Sequence, residues 1–175
     1  MLQPAARQSR IWMLLRQRIL AQAGTPASAA DVILRHFHVD APPVVVEQIV
    51  CSMGVLLERV QQTSWSGAAN STSTAAKIWL RGTDAPVRQR FTLAHELGHL
   101  MLHETGVAYR DDTFSGGWRE AQANQFAAAL LVPQRMLRTR YPGRASVLAK
   151  TFDVSEPAMK VQISNLTGTP IEAVY

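Results

Sequence analysis

The sequence predicts an α+β fold of one domain, with a small antiparallel sheet packed on a helix that carries His95, Glu96 and His99. Three observations lead there. Residues 84–103 place apolar side chains at helical spacing, and residues 118–133 read as a second, alanine-rich helix that Pro133 ends. Ahead of them stand two short runs of strand character, Val55–Val60 and Ala75–Leu80, joined by the Ser, Gly, Asn and Thr-rich stretch 62–74. A length of 175 residues with 47% apolar and 18% charged residues suits one soluble domain with a core of its own. Three parts are expected: residues 1–28 as a basic N-terminal helix and linker, 29–142 as the core, and 143–175 as a helical segment packed on it.

Residues 1–30 carry Arg7, Arg10, Arg16 and Arg18 and no acid, around the apolar run Ile11–Leu15. The run is too short for a secretory signal and is followed by arginines, and no stretch approaches the roughly 20 apolar residues of a membrane span. A basic amphipathic helix from Ser9 to Ala23 is expected, then a linker from Gly24 to Ser28. Ala29–His36 reads as a short helix. Asp40–Pro43 is a turn, and Val44–Met53 is a helix turning Val45, Ile49 and Met53 inward before Gly54 stops it. His36 and His38 have no partner at ligand spacing and read as surface or structural histidines. Cys51 is the sole cysteine, so no intrachain disulfide forms; beside Ile49, Val50 and Met53 it reads as a buried thiol in a reducing compartment, the cytoplasm. A short strand near Trp65–Ala69 completes the sheet.

The helix that follows opens with Thr83 or Asp84 as cap and Pro86 in its first turn; Val87, Phe91, Ala94, Gly98 and Met101 form its apolar stripe and Gly106 is its stop. Gly98 in mid-helix costs about 1 kcal/mol relative to alanine, which implies a close approach to the backbone there. His95, Glu96 and His99 stand in the order H-E-x-x-H. Four residues apart on a helix, the two imidazoles lie about 40° from one another around the axis, so both can reach one metal ion. Glu96 then projects beside the metal, the position of a general base acting on water.

Such a site needs a third protein ligand. His103 continues the spacing, but in an unbroken helix it lies about 12 Å along the axis from His95, too far for one ion. It reads as a residue lining the cleft, supporting a ligand, or serving structure. Glu120 on the second helix can close the set, although an acid in a first helical turn is also favoured by the helix dipole alone. Asn124, one turn on, can accept from the free N–H of a ligating imidazole, and Ala127 and Leu131 continue that face as packing. Residues 105–117 form a polar, Gly-rich loop at the cleft mouth. Tyr109, Arg110 and Arg119 are the side chains there that could face an oxyanion.

The pair RFTLAHELGHLMLH and EAQANQFAAALLVP closely resembles the ImmA/IrrE family of zinc-dependent metallopeptidases, over roughly residues 29–165. The resemblance implies a zincin-like fold of gluzincin type, a catalytic Glu96, and Zn2+ held by His95, His99 and Glu120. Many members carry another acid two residues after that glutamate; here Gln122 leaves Glu120 as the only carboxylate of the second helix. The resemblance further implies a cytoplasmic endopeptidase whose partner is a helix-turn-helix repressor controlling a mobile element, a stress response or a toxin-antitoxin locus. The ligand set favours zinc and also accepts manganese or another divalent ion.

Arg135, Arg138, Arg140, Arg144 and Lys150 form a second basic run, and Leu148–Leu166 reads helix, turn, helix, with Ser155 as cap and Pro157 in the first turn. It resembles a DNA-binding helix-turn-helix, yet its second helix offers only Lys160, Gln162 and Asn165 as base readers, so packing on the body is favoured. The net charge of +5 leaves room for non-specific nucleic-acid contact. The alternative function is therefore a DNA-associated regulator or toxin-antitoxin component with a structural zinc and no protease activity. Glu96 discriminates between the two, because a structural zinc is closed by four ligands and has no use for a base.

Overall fold

The helix bearing the histidines, α4 (Pro86–Leu102), is buried at every position from Thr92 to Met101. A helix covered on all sides has no single apolar stripe, and the expected one fails at its start: Val87 and Phe91 are each 38% exposed. What covers it follows from its single glycine, Gly98. In the computed structural model, which describes residues 4–61, 63–72, 75–103, 109–110 and 117–174, a Cβ on Gly98 would stand 3.0 Å from Phe126 Cδ1 and 3.2 Å from Ala123 Cα. Both belong to α5 (Trp118–Leu131), which lies along that face with Ala123, Phe126, Ala127, Leu130 and Leu131 buried. Glu96 lies about 200° around the axis from Gly98 and faces the sheet instead.

That sheet has the order β1-β3-β2-β4, with β1 Leu56–Val60, β2 Gly67–Ser71, β3 Ala76–Arg81 and β4 Tyr109–Arg110. It is mixed, which corrects the antiparallel expectation: β1 pairs parallel to β3, while β2 runs antiparallel to both β3 and β4. The chain leaves β1, returns along β2, and then inserts β3 between the two. β3 alternates buried and half-buried residues as a strand with one packed face must.

α1 (Pro4–Gln22) lays Trp12, Leu15 and Ile19, at 1–3% exposure, into the common core. The expected linker at Gly24–Ser28 is instead the start of α2 (Pro26–His36): Thr25 caps the Ser28 N–H and Ser28 Oγ accepts from the Thr25 N–H in return. In α3 (Val46–Ser52) the buried set is Val46, Ile49, Val50 and, just beyond the helix, Met53. The helix phase is one residue later than expected, so Val45 is 44% exposed. Cys51 falls off the buried face and is exposed, against its reading as a buried thiol. At α4 the N-cap is Ala85 without a side-chain bond, because Asp84 instead pairs with Arg81 at 2.8 Å and Arg88 at 3.6 Å. α4 ends at Leu102, with His103 extended as its C-cap; Gly106 lies outside the described residues.

After α5 come α6 (Gln134–Arg138), α7 (Ala145–Phe152) and α8 (Glu156–Thr167). Asp153 turns the chain at φ 53° and Ser155 caps α8 by accepting from the Ala158 N–H. Phe152, Met159 and Ile163 are buried, and Arg90 of α4 donates to the Phe152 carbonyl at 3.2 Å. Among the described residues no helix is long and apolar enough to cross a membrane.

Candidate metal centre

α4 and α5 bring His95, His99 and Glu120 together, and their ligand atoms all lie within 4.8 Å of one another. His95 Nε2 stands 3.0 Å from His99 Nε2, and the two carboxylate oxygens of Glu120 stand 3.1 Å from the first and 3.2 Å from the second. The close crossing of α4 and α5 at Gly98 permits this, since Ala123 sits one turn after Glu120 on α5.

The far nitrogens decide which atoms face the centre. His95 Nδ1 is 2.9 Å from Asn124 Oδ1, which only accepts, so His95 donates there and turns Nε2 inward. His103 Nε2 is 3.3 Å from Gln122 Oε1, which likewise only accepts. His103 therefore keeps a bare Nδ1, and His99 Nδ1, 2.9 Å away, donates to it. His99 is left with its own Nε2 lone pair directed at Glu120. Burial first, then the charges of His95, His103 and Arg119, push its pKa from 6.5 to about 3, so it stays neutral.

Two imidazole nitrogens and a carboxylate thus converge on one point. Donors about 2.0–2.1 Å from a tetrahedral zinc stand about 3.3 Å apart, close to the separations here. These three residues can hold a metal ion, and the donor set fits zinc.

Glu96 is 1% exposed and is not one of the converging groups. It faces β2 at Gly67, where a Cβ would come within 2.9 Å of its Oε1. His103 stands behind His99, on its Nδ1 side, and meets Trp118 edge-on at 5.7 Å. Burial, followed by Arg119 and Arg16 against the opposing bond from Gln122, lowers its pKa. Arg119 lies over the Trp118 ring at 5.4 Å and its charge is felt at both His99 and His103. Tyr109 and Arg110 reach β2 through their backbone pairing in β4; their side chains are outside the described residues. His36 and His38 join no metal-ligating group among the described residues.

A family model described as the IrrE N-terminal-like domain, Peptidase_M78, matches residues 52–164, more than half of the chain. The chain belongs to this family. Peptidase_M78 membership supports a metallopeptidase-like function, and the matched segment contains α4, the sheet and α5. No curated protein matches the chain.

Sequence reasoning missed three residues of this Peptidase_M78 centre. Gly67 carried a usable signal, since a glycine inside a strand marks a close approach. Gln122 was read only for the charge it lacks, whereas its carbonyl sets the tautomer of His103. Arg16 gave no signal: it donates to the carbonyls of Leu100, at 3.0 Å, and His103, tying α1 to the end of α4 across 84 residues of sequence.

Proposed function

We propose that the chain is a zinc metalloendopeptidase with a zincin-like, gluzincin-type active site, acting in the cytoplasm on a helix-turn-helix repressor or a similar regulatory protein. One observation carries the reading: two imidazoles and Glu120 converge on one point, and Glu96, next to His95 on α4, is buried and outside that set. A structural zinc would be closed by four protein ligands, and the described residues offer three. A divalent ion, when bound, supplies Lewis-acid polarisation of the scissile carbonyl and lowers the pKa of water beside it. Glu96 takes the proton of the attacking water and passes it to the leaving amine. Asn124 and His103 hold the ligand imidazoles in the tautomer the ion needs. Tyr109, Arg110 and Arg119 are the side chains proposed to face the oxyanion. Zinc is preferred by the donor set, with manganese or another first-row ion compatible with it.

Support for the substrate class is the sequence resemblance described above. The test is co-expression with the helix-turn-helix protein encoded beside this chain, read as discrete, metal-dependent fragments. Glu96→Gln should retain about one zinc per chain and give no fragment, and Glu120→Ala should lose the metal. Zinc retained in Glu120→Ala would refute the ligand set. Identical fragments from Glu96→Gln and the parent would refute the base.

A further inference from the structure

A cavity of about 830 Å³ runs between α2, α5, α6 and α8 and reaches Asn124 on the outer, Nδ1 side of His95; none of His95, His99 and Glu120 lines it. Two of its lining residues also belong to the centre's surroundings. Asn124 orients His95, and Phe91 lies one turn before His95 with their rings 6.2 Å apart. From Asn124 the groove follows α5 through Ala128 to Val132, eight residues or about 12 Å of helix. At about 3.3 Å per residue, that length holds roughly four residues of extended chain.

The opposite wall is one face of α8, where Val161, Gln162 and Asn165 recur at helical spacing. Gln162 and Asn165, with Lys160 the only base readers the second helix offered, line this cavity. The side chains of Gln125, Gln162 and Asn165 make no hydrogen bond among the described residues. Each carboxamide offers a donor and an acceptor, which suits the alternating N–H and C=O groups of a peptide. Leu34, Ala129 and a 39% exposed Val161 supply apolar surface. At the far end Arg138 is exposed and has no ion pair among the described residues, whereas its neighbour Arg135 is tied to Asp31 and Asp40.

We propose that this groove is a substrate-recognition exosite of the peptidase, binding about four residues of extended polypeptide on the outer side of His95, away from the ligand atoms. An apolar side chain lies between Ala129 and Val161, and an acidic side chain meets Arg138. The proposal rests on the peptidase reading for its role but not for its binding chemistry. A duplex does not fit a concavity walled by helices, and among the described residues Arg138 is the one lining cation without an ion pair, a poor phosphate track.

The test selects a random-octapeptide display library on the zinc-loaded, full-length Glu96→Gln chain, which reads binding whether or not the parent hydrolyses. Enriched peptides should pair an apolar residue with an acid a few positions away. Ala129→Trp, which fills the groove floor, should weaken the selected peptides by about tenfold or more, the scale of a lost apolar pocket. Val161→Trp does the same from an exposed position should Ala129→Trp fail to fold, and Arg138→Glu should exchange the acid for a base. Failure to enrich any sequence, or equal binding by both tryptophan variants, overturns the proposal. So does a random 20-base-pair duplex that binds and loses affinity in Gln162→Ala and Asn165→Ala, since that assigns the face to nucleic acid. Hydrolysis of the selected peptides by the parent chain tests the peptidase reading separately.

Discussion

Replacing Gly67 with alanine asks whether α4 is clamped between β2 and α5. The added Cβ would lie 2.4 Å from Thr92 Cγ2, 2.9 Å from Glu96 Oε1 and 3.1 Å from Glu96 Cγ. Carbon atoms rest about 3.5–4.0 Å apart, so the contact with Thr92 is short by more than about 1 Å. Thr92 is β-branched and holds its rotamer stiffly in a helix. Nor can α4 recoil, because at Gly98 its other face already meets Phe126 and Ala123 at 3.0–3.3 Å from where a Cβ would stand. The strain must therefore move β2 or rotate Glu96. Overpacking of this kind costs about 1–3 kcal/mol. For a chain of this length each kcal/mol lowers the Tm by about 2–4 °C, so a fall of about 2–12 °C is expected. A shift of about 1 Å in Glu96 would also cost about a hundredfold in hydrolysis. Differential scanning calorimetry on the zinc-loaded protein, together with fragment formation on the same preparation, measures both. Gly98→Ala is the internal comparison: its contacts are milder and alanine recovers about 1 kcal/mol of helix propensity, so its Tm should fall less. An unchanged Tm and full hydrolysis in Gly67→Ala would mean that β2 does not press on α4, and the clamp would have to be abandoned.

His103→Leu should weaken zinc affinity by about 10–100-fold, measured by competition with a chromogenic chelator, since it removes the acceptor that fixes His99. His103→Asn keeps an oxygen near the place of Nδ1 and should recover most of the loss; equal weakening in both would make His103 a packing residue only. The metal-free chain should lose stability on acidification. His99 titrates at 6.5 in the unfolded state and at about 3 in the fold, so below pH 6.5 the unfolded chain takes up a proton that the folded chain refuses. Its contribution is whole above pH 6.5 and declines as the pH falls toward about 3, and the lowered pKa of His103 acts in the same direction. Urea midpoints should drop between pH 7 and pH 5, where carboxylates scarcely titrate, and His99→Gln should flatten the slope; a slope unchanged by that substitution would contradict the assignment.

What was legible in the sequence is what one helix fixes by itself. The convergence of His95 and His99, and the alignment of Glu120 with Asn124, are i, i+4 relations that hold wherever the helix packs. The mid-helix cost of Gly98 likewise announced a neighbour, which proved to be Phe126 and Ala123. Relations between elements were not legible. The parallel pairing of β1 with β3 depends on where β2 returns, and no residue in either strand encodes it. The apolar stripe of α4 failed because the helix buries Thr92, His95, Glu96 and His99 as well as its leucines, so polarity no longer reports exposure. Cys51 failed for a smaller reason: moving the start of α3 by one residue turns a helical position about 100°, enough to carry a side chain out of the core. Thr25 looked like linker by composition, and its capping role appears only once Ser28 Oγ bonds back to the backbone.

The same distinction between count and place applies to the charge. A net charge of +5 arises from 15 arginines and only three lysines, and that choice has a structural cause. A guanidinium presents five donors in a planar fork, suited to several carbonyls at once. Arg16 binds two carbonyls at the end of α4, Arg90 binds the last carbonyl of α7, and Arg140 binds the Met136 carbonyl in α6. Each places a cation at the negative end of a helix dipole. Arg81 and Arg88 both donate to Ser66 Oγ and pair with Asp84, joining β3 and α4 to the approach of β2. Much of the basic composition is therefore engaged in holding helices together, and net charge overstates the positive surface open to a polyanion. Arg16 bears on the chemistry most directly. It fixes the carbonyl of His103, whose imidazole accepts from His99, so α1, which lies outside the segment matched by the Peptidase_M78 model, supports the metal ligand from behind.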